Sequence, residues 1–225
     1  MINKKTNKKK TNKKGIQDRD IQEVRHAQME LIYDELIALT KSPLYIYRTT
    51  NNYFPVLGKG SLTADIMFIG EAPGKKEAET ARPFCGRSGK ILDEMMRSVG
   101  LAHEDVYITS IVKDRPPENR DPTSEEIAVY APFLDRQIEI IAPKVIITLG
   151  RFSMVYIIER YGSSEGVREK HATIREMHGK IVKARASYGP VYIVPLYHPA
   201  VALYRGETKK TLFNDFQIIT QFIKK

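Results

Sequence analysis

Four short apolar runs recur along the chain, and longer segments with helical spacing separate them. The runs are Ala64–Gly70, Val106–Val112, Val145–Gly150 and Val191–Tyr197. They are rich in Ile and Val and barely alternate with polar residues, which is typical of strands buried on both faces of a parallel sheet. We therefore predict a three-layer α/β/α fold with a central four-stranded parallel sheet.

Apolar residues spaced three and four apart predict the helices. The predicted helical segments are 17–40, Gly89–Val99, Thr123–Ala142, Phe152–Tyr161, Glu165–Met177 and Thr208–Lys224. Thr123 and Glu126 fit a capping box, whereas Pro132 should kink this helix or mark a late start. The segment 41–63 is rich in Pro, Asn and Gly, and is predicted to be irregular.

The positive charge is concentrated at the N-terminus. Residues 1–14 contain seven Lys and no acid, so the net charge of +9 falls to a balance of +2 over the rest. We predict a disordered Lys-rich tail over residues 1–15 and one domain over residues 16–225, because the tail has too little apolar surface to offset the entropy of ordering. Such a tail would add non-specific contact to nucleic acid, but a tail that only improves solubility explains it equally well.

The composition excludes several classes of protein. One cysteine, Cys85, is too few for an internal disulfide framework or for a multi-cysteine zinc or iron–sulfur site. No apolar run is long enough for a transmembrane helix, and no apolar segment follows the Lys-rich start as a secretory signal requires. We expect a cytoplasmic monomer with no membrane association and no metal site.

Chemically distinctive residues follow the predicted strands. Glu71, Ser110, Arg151 and His198 lie at the ends of the four strands, where ligands bind in open α/β sheets, so they could converge on one crevice. The loop Gly70–Gly74 lacks the spacing of a Walker sequence and of a dinucleotide fingerprint, which argues against a kinase or an ATPase.

Three of the candidate side chains allow two interpretations each. A lone loop acid such as Glu71 is usually solvated, but between two glycines it could hold a water or a developing cation. Phe84 is either a core aromatic, which composition favours, or a platform on which a planar base stacks. A lone histidine is usually structural, but His198 precedes a proline at a strand end and is a better hydrogen-bond donor candidate.

Four segments, in this order, resemble the iron–sulfur (family four) uracil-DNA glycosylases. They are GEAPGKKEAETARPFCGRSGKILDEMM, YITSIVKDRPPENRDPTSEEI, APFLDRQIEIIAPKVIITLGRF and VPLYHPAVALY. The resemblance runs from about Leu39 to the C-terminus. It implies a monofunctional DNA glycosylase of base excision repair that flips uracil, or a related deaminated base, out of DNA and hydrolyses its N-glycosidic bond.

The resemblance also implies roles for individual residues. The catalytic residues would be Glu71, which orients or polarises the attacking water, and His198, which donates a hydrogen bond to the base carbonyl O2. The base-binding residues would be Ala72, Phe84 and Ser110, with Phe84 stacked on the extruded base. The DNA-binding residues would be Arg87, Pro199, Ala200, Val201 and Leu203.

The chain departs from the family pattern in two places. The family binds a four-iron cluster through four cysteines, and the aligned positions here are Leu39, Ser42, Asp114 and Tyr130, so we expect no cluster and no other cofactor. The family also has an asparagine that reads the uracil edge, and Ser110 stands in its place. A hydroxyl cannot present the paired donor and acceptor of an amide, so strict uracil selectivity is not expected.

Other functions stay open at this point. They are a catalytically impaired DNA-binding module of the same fold, a glycosylase with altered base specificity, an RNA- or nucleotide-directed hydrolase, and an unrelated small-molecule enzyme. Retention of Glu71, Phe84 and His198 argues against the impaired module, since decay of an active site should not spare all three.

Overall fold

Six strands form one mixed sheet. A computed structural model describes residues 5–162, 173–204 and 206–223, with side chains from residue 21 onward. The strands are β1 Lys59–Gly60, β2 Ile66–Gly70, β3 Val106–Ser110, β4 Val145–Leu149, β5 Val182–Ala186 and β6 Gly189–Leu196. Their order across the sheet is β1-β3-β2-β4-β6-β5.

The four predicted strands are β2, β3, β4 and β6, and they are mutually parallel. The parallel centre of the sheet is therefore confirmed, but the sheet has six strands rather than four. Two antiparallel edge strands were not predicted: β1 pairs with β3, and β5 pairs with β6. β1 has only two residues, and β5 is half polar because its outer face is exposed.

The α-helices of the described residues connect these strands. They are α1 Lys5–Ile37, α2 Tyr45–Thr50, α3 Lys75–Thr80, α4 Arg87–Ser98, α5 Ser124–Ile141, α6 Arg151–Tyr161, α7 Ile174–Met177 and α8 Gly206–Phe216. Within the described part of the chain, no helix combines the length and the apolarity that crossing a bilayer requires.

Several predicted boundaries need correction. Segment 41–63 is not wholly irregular, because it contains α2 and β1. α5 begins on the predicted capping box of Thr123 and Glu126 and includes Pro132 in its interior, so the late start is wrong. The last predicted helix is divided into α8 and a 3-10 helix, Gln217–Phe222. Residues 163–172, in which another helix was predicted to begin, lie outside the described residues.

α1 is longer than the predicted helix 17–40. It begins at Lys5, inside the predicted tail, and its helical backbone is compatible with the good helix propensity of lysine. The proposed division at residue 16 and the predicted disorder stay untested, because side-chain contacts are described only from Ile21 onward.

Helices cover both faces of the sheet. Met67 and Ile69 of β2 pack on one face with apolar side chains of α1, α5 and α6, whereas Ile66 and Phe68 pack on the other face with those of α4 and α8. This arrangement is the predicted three-layer α/β/α fold. Because the four central strands are parallel, their carboxyl ends lie at one edge of the sheet.

Candidate active site

A pocket of about 510 Å³ opens at this edge, a volume typical of a small-molecule binding site. Most of the predicted site residues line it: Glu71, Ala72, Phe84, Arg87, Ser110, His198, Ala200 and Leu203. Pro199 and Val201 do not line it. They belong to the 3-10 helix Pro199–Leu203, in which Pro199 is buried.

The carboxylate of Glu71 lies at the start of α6. Its Oε1 accepts the Phe152 N–H at 3.1 Å. Gly150, between β4 and α6, has φ +105°, and a Cβ there would lie 2.4 Å from this oxygen, so a glycine is required. Burial raises the pKa of Glu71, and the Phe152 N–H partly opposes this shift. A carboxylate held with a raised pKa in a cleft is typical of an acid–base or electrostatic role.

Arg151 does not line the pocket, although it follows a central strand as predicted. Its Nη2 lies 2.8 Å from the Asp121 Oδ2, and Asp121 lines the pocket from the loop before α5. Arg151 therefore reaches the site through Asp121, and its charge partly offsets the effect of Asp121 on the pKa of Glu71.

His198 follows β6 and is neutral at physiological pH. The Ala200 N–H donates to its Nδ1 at 3.2 Å, so the neutral ring carries its proton on Nε2. Burial lowers the pKa of His198 to about 4. The ring centroids of His198 and Phe84 are 5.8 Å apart. The pocket thus contains a fixed imidazole tautomer beside an aromatic ring.

Two glycines hold Phe84, which has a φ of +47°. A Cβ on Gly70 would lie 2.8 Å from the Cζ of the Phe84 ring, and a Cβ on Gly89 would lie 1.8 Å from the Phe84 carbonyl oxygen. Both close approaches require glycine. The ring is therefore fixed against the end of β2 as one wall of the pocket.

Ser110 lies at the end of β3 and is 5% exposed. Its hydroxyl donates to the Val112 carbonyl oxygen at 2.8 Å. The hydroxyl proton is therefore used within the protein, and Ser110 presents only an oxygen acceptor to a ligand.

Glu77 and Tyr204 also line the pocket, although the sequence analysis gave them no role. Glu77 of α3 is buried, and its Oε1 accepts the Gly86 N–H at 2.7 Å; a Cβ on Gly74 or Gly86 would lie 2.7 or 3.0 Å from this carboxylate. Glu77 thus joins the loop after β2 to the loop that carries Phe84. Tyr204 also lines the pocket and its side chain is exposed; the signal in the sequence was an aromatic residue shortly after His198-Pro199-Ala200.

The positions aligned with cluster cysteines do not fit an iron–sulfur cluster. Ser42, Asp114 and Tyr130 are buried, and the Tyr130 hydroxyl is hydrogen-bonded to both Ser42 and Asp114; Leu39 packs against the core. The only cysteine of the chain, Cys85, lies elsewhere, beside Thr80. Among the described residues, no group of three or more His, Cys, Asp and Glu could hold a metal ion.

The fold and the pocket agree with the comparisons to known proteins. The family model of the uracil DNA glycosylase superfamily matches residues 57–217, and the chain belongs to this superfamily. A type-4 uracil-DNA glycosylase of Sulfurisphaera tokodaii is 42% identical over 86% of this chain and 84% of its own length. The type-4 enzymes of Archaeoglobus fulgidus and Thermotoga maritima are 39% and 36% identical, over 92% and 97% of their lengths.

Proposed function

We propose that the chain is a monofunctional uracil-DNA glycosylase of base excision repair. The observation that carries this proposal is one pocket lined by a carboxylate, an aromatic ring and a neutral imidazole, Glu71, Phe84 and His198, in a member of the superfamily. The pocket volume of about 510 Å³ is large enough to hold a base extruded from DNA.

The reaction requires charge stabilisation on both sides of the bond that breaks. Water attacks the sugar C1′, the electron pair of the glycosidic bond leaves with the base as an anion, and the proton that the water loses passes to the solvent. The Nε2–H group of His198 donates a hydrogen bond to the base carbonyl oxygen on which negative charge develops. The Glu71 carboxylate accepts a hydrogen bond from the attacking water and stabilises the positive charge of the sugar. Stacking on Phe84 offsets part of the cost of extruding the base.

The rim of the pocket suits a nucleic-acid backbone. Lys75, Lys76, Arg87 and Arg120 line the mouth and would contact phosphates, while Leu203 and Tyr204 would enter the gap in the base stack. The absence of a cluster, a cytoplasmic location, a monomeric state and non-specific DNA contacts of the Lys-rich tail belong to the same proposal.

A panel of oligonucleotides tests this function. The purified chain is expected to release uracil from single- or double-stranded DNA, measured as alkali-labile abasic sites, and to leave the matched thymine-containing DNA intact. Lack of release of uracil, hypoxanthine and xanthine would reject the glycosylase. Salt-dependent binding of DNA without release would favour a DNA-binding module, and release from RNA alone would favour an RNA-directed hydrolase.

The geometry of Ser110 favours a second version of this function, a glycosylase with relaxed base choice. An amide at this position would present a donor and an acceptor to the edge of uracil. The Ser110 hydroxyl instead donates to the Val112 carbonyl oxygen and leaves only an acceptor. The pocket therefore discriminates uracil from other deaminated bases mainly by shape and by His198.

Ser110→Asn is expected to raise the preference for uracil over xanthine or hypoxanthine about tenfold, because a matched buried hydrogen-bond pair contributes about 1–3 kcal/mol of discrimination. The measurement is the kcat/KM for uracil divided by the kcat/KM for xanthine or for hypoxanthine, each placed at the same position of the same duplex. Ser110→Ala, which removes the hydroxyl without adding an amide, should give no such gain. Equal ratios in the two variants would mean that the residue at 110 does not read the base.

A further inference from the structure

We infer that four buried side chains, Ser42, Arg48, Asp114 and Tyr130, form a hydrogen-bonded clasp that replaces an iron–sulfur cluster and positions the pocket loop, residues 114–122. Three of the four stand where the resemblance predicts cluster cysteines. The structural part of this inference is independent of the proposed function, whereas its effect on activity rests on that function.

The donors and acceptors of the clasp form one consistent chain. The Tyr130 hydroxyl donates to the Asp114 Oδ2 at 2.5 Å, so the Ser42 hydroxyl, 2.5 Å from the same phenol oxygen, must be its donor. The Leu44 N–H in turn donates to the Ser42 Oγ at 3.0 Å. Every side-chain oxygen of Ser42, Asp114 and Tyr130 therefore has a hydrogen-bond partner, as burial requires.

Arg48 connects the clasp to the end of α1. Its Nη1 lies 3.1 Å from the Asp114 Oδ2 and donates to the Leu36 carbonyl oxygen at 2.8 Å. Its Nη2 donates to the Ile37 carbonyl oxygen at 2.8 Å. Burial raises the pKa of Asp114, and the Tyr130 hydroxyl and the Arg48 charge oppose this shift. The clasp thus binds the end of α1 and the turn before α2 to the start of the pocket loop and to α5, which lie much further along the chain.

A second set of contacts leads from the clasp to the pocket. Arg115, next to Asp114, donates through Nη1 to the hydroxyls of Tyr47 and Tyr53 at 3.1 and 2.9 Å. Its Nε donates to the Asn119 Oδ1 at 2.8 Å, and Asn119 lines the pocket. Because α2 carries both Arg48 and Tyr47, it holds the first two residues of the loop together.

The pocket loop needs such support because its backbone is strained. Glu118 and Asn119 have φ of +54° and +56°, and residues in this left-handed region persist only where the surrounding structure holds them there. Pro116, Asn119, Arg120, Asp121 and Pro122 of this loop line the pocket. A loop that relaxes at its first residue would therefore change one wall of the pocket.

Tyr130→Phe tests the clasp by removing one hydroxyl, and Tyr161→Phe is the matched control. The Tyr161 hydroxyl also donates to a carboxylate that an arginine holds, Asp135 Oδ1 at 2.9 Å, with Arg160 at 2.9 Å from Oδ2, but it makes no contact with the pocket loop. Both variants lose a hydrogen bond to an aspartate, and only Tyr130→Phe loses one within the clasp.

Hydrogen exchange measured by mass spectrometry is the first readout. In Tyr130→Phe, amides of residues 114–122 are expected to exchange about tenfold faster or more, since loss of one buried hydrogen bond to a charged group shifts a local opening equilibrium by at least this factor. In Tyr161→Phe the same amides should keep their rates. Unchanged exchange in Tyr130→Phe, or equal acceleration in both variants, would overturn the inference.

Base release is the second readout, measured at a temperature where both variants are folded. Tyr130→Phe is expected to lower kcat/KM by at least fivefold, and Tyr161→Phe to leave it unchanged. If Tyr130→Phe does not fold, Ser42→Ala, which removes the outer hydroxyl, replaces it in both assays. A chain that releases no base but shows the expected exchange pattern would contradict the proposed function and support the clasp.

Discussion

Replacement of His198 by alanine is expected to lower kcat for base release about 100- to 1000-fold, with little change in KM. A preorganised donor acts on charge that develops only in the transition state, and loss of one such donor typically costs about 3–4 kcal/mol. Since the Ala200 N–H fixes the Nε2 tautomer, the ring needs no rearrangement before it donates. Single-turnover release of uracil from duplex DNA measures the rate of bond cleavage separately from product dissociation.

Two variants control this prediction. His103 is exposed and pairs with Asp93 away from the pocket, so His103→Ala should leave the rate unchanged. His198→Asn retains a side-chain N–H donor and should keep part of the rate that His198→Ala loses. Because burial holds the pKa of His198 at about 4, no step in the pH–rate profile is expected near pH 6.5. A His198→Ala rate within threefold of the unmodified chain would remove His198 from the mechanism.

The parallel centre of the sheet was predictable because strands buried on both faces need continuous apolar runs. The edge strands were not. β5 alternates buried Val182, Ala184 and Ala186 with exposed Lys183 and Arg185, a pattern that becomes convincing only when its pairing with β6 is known. β1 consists only of Lys59 and Gly60, and only the position of β3 beside it makes it a strand.

The convergence of Glu71, Ser110 and His198 followed from one rule, that parallel strands end at the same edge of a sheet. The orientation of each side chain did not follow. Nothing in the sequence indicates that the Ser110 hydroxyl turns to the Val112 carbonyl oxygen, because that contact depends on the path of the chain after β3. Glu77 was missed for a similar reason, since its role depends on a loop nine residues away, at Gly86.

The cluster-equivalent positions show the same limit. The sequence states that Leu39, Ser42, Asp114 and Tyr130 lack thiolates, which is enough to predict that no cluster is held. It does not show that Tyr130 is hydrogen-bonded to both Ser42 and Asp114. Nor does it show that Arg48 pairs with Asp114, because Arg48 is outside every motif of the resemblance. Such a network is a property of packed side chains rather than of spacing.

Glu71→Gln is expected to lower kcat about 100-fold or more and to raise the stability of the folded protein at pH 7. Burial raises the pKa of Glu71. A carboxyl group whose pKa is raised on folding adds stability below its unfolded pKa, and this stability is lost as the pH rises through the folded pKa. At pH 7 the ionised carboxylate therefore costs stability, which a neutral amide does not. The amide oxygen can still accept the Phe152 N–H, so the local structure is kept.

The pH–rate profile separates the catalytic role of Glu71 from a structural one. If the carboxylate orients water, the rate of the unmodified chain falls as the pH decreases through a value above 4.5, and Glu71→Gln lacks this limb. Glu79, exposed on α3, gives the control Glu79→Gln, which should change neither the rate nor the urea midpoint by a measurable amount. A residue whose replacement raises stability and lowers the rate is retained for function rather than for folding. A slower and less stable Glu71→Gln variant would instead make Glu71 a structural partner of α6.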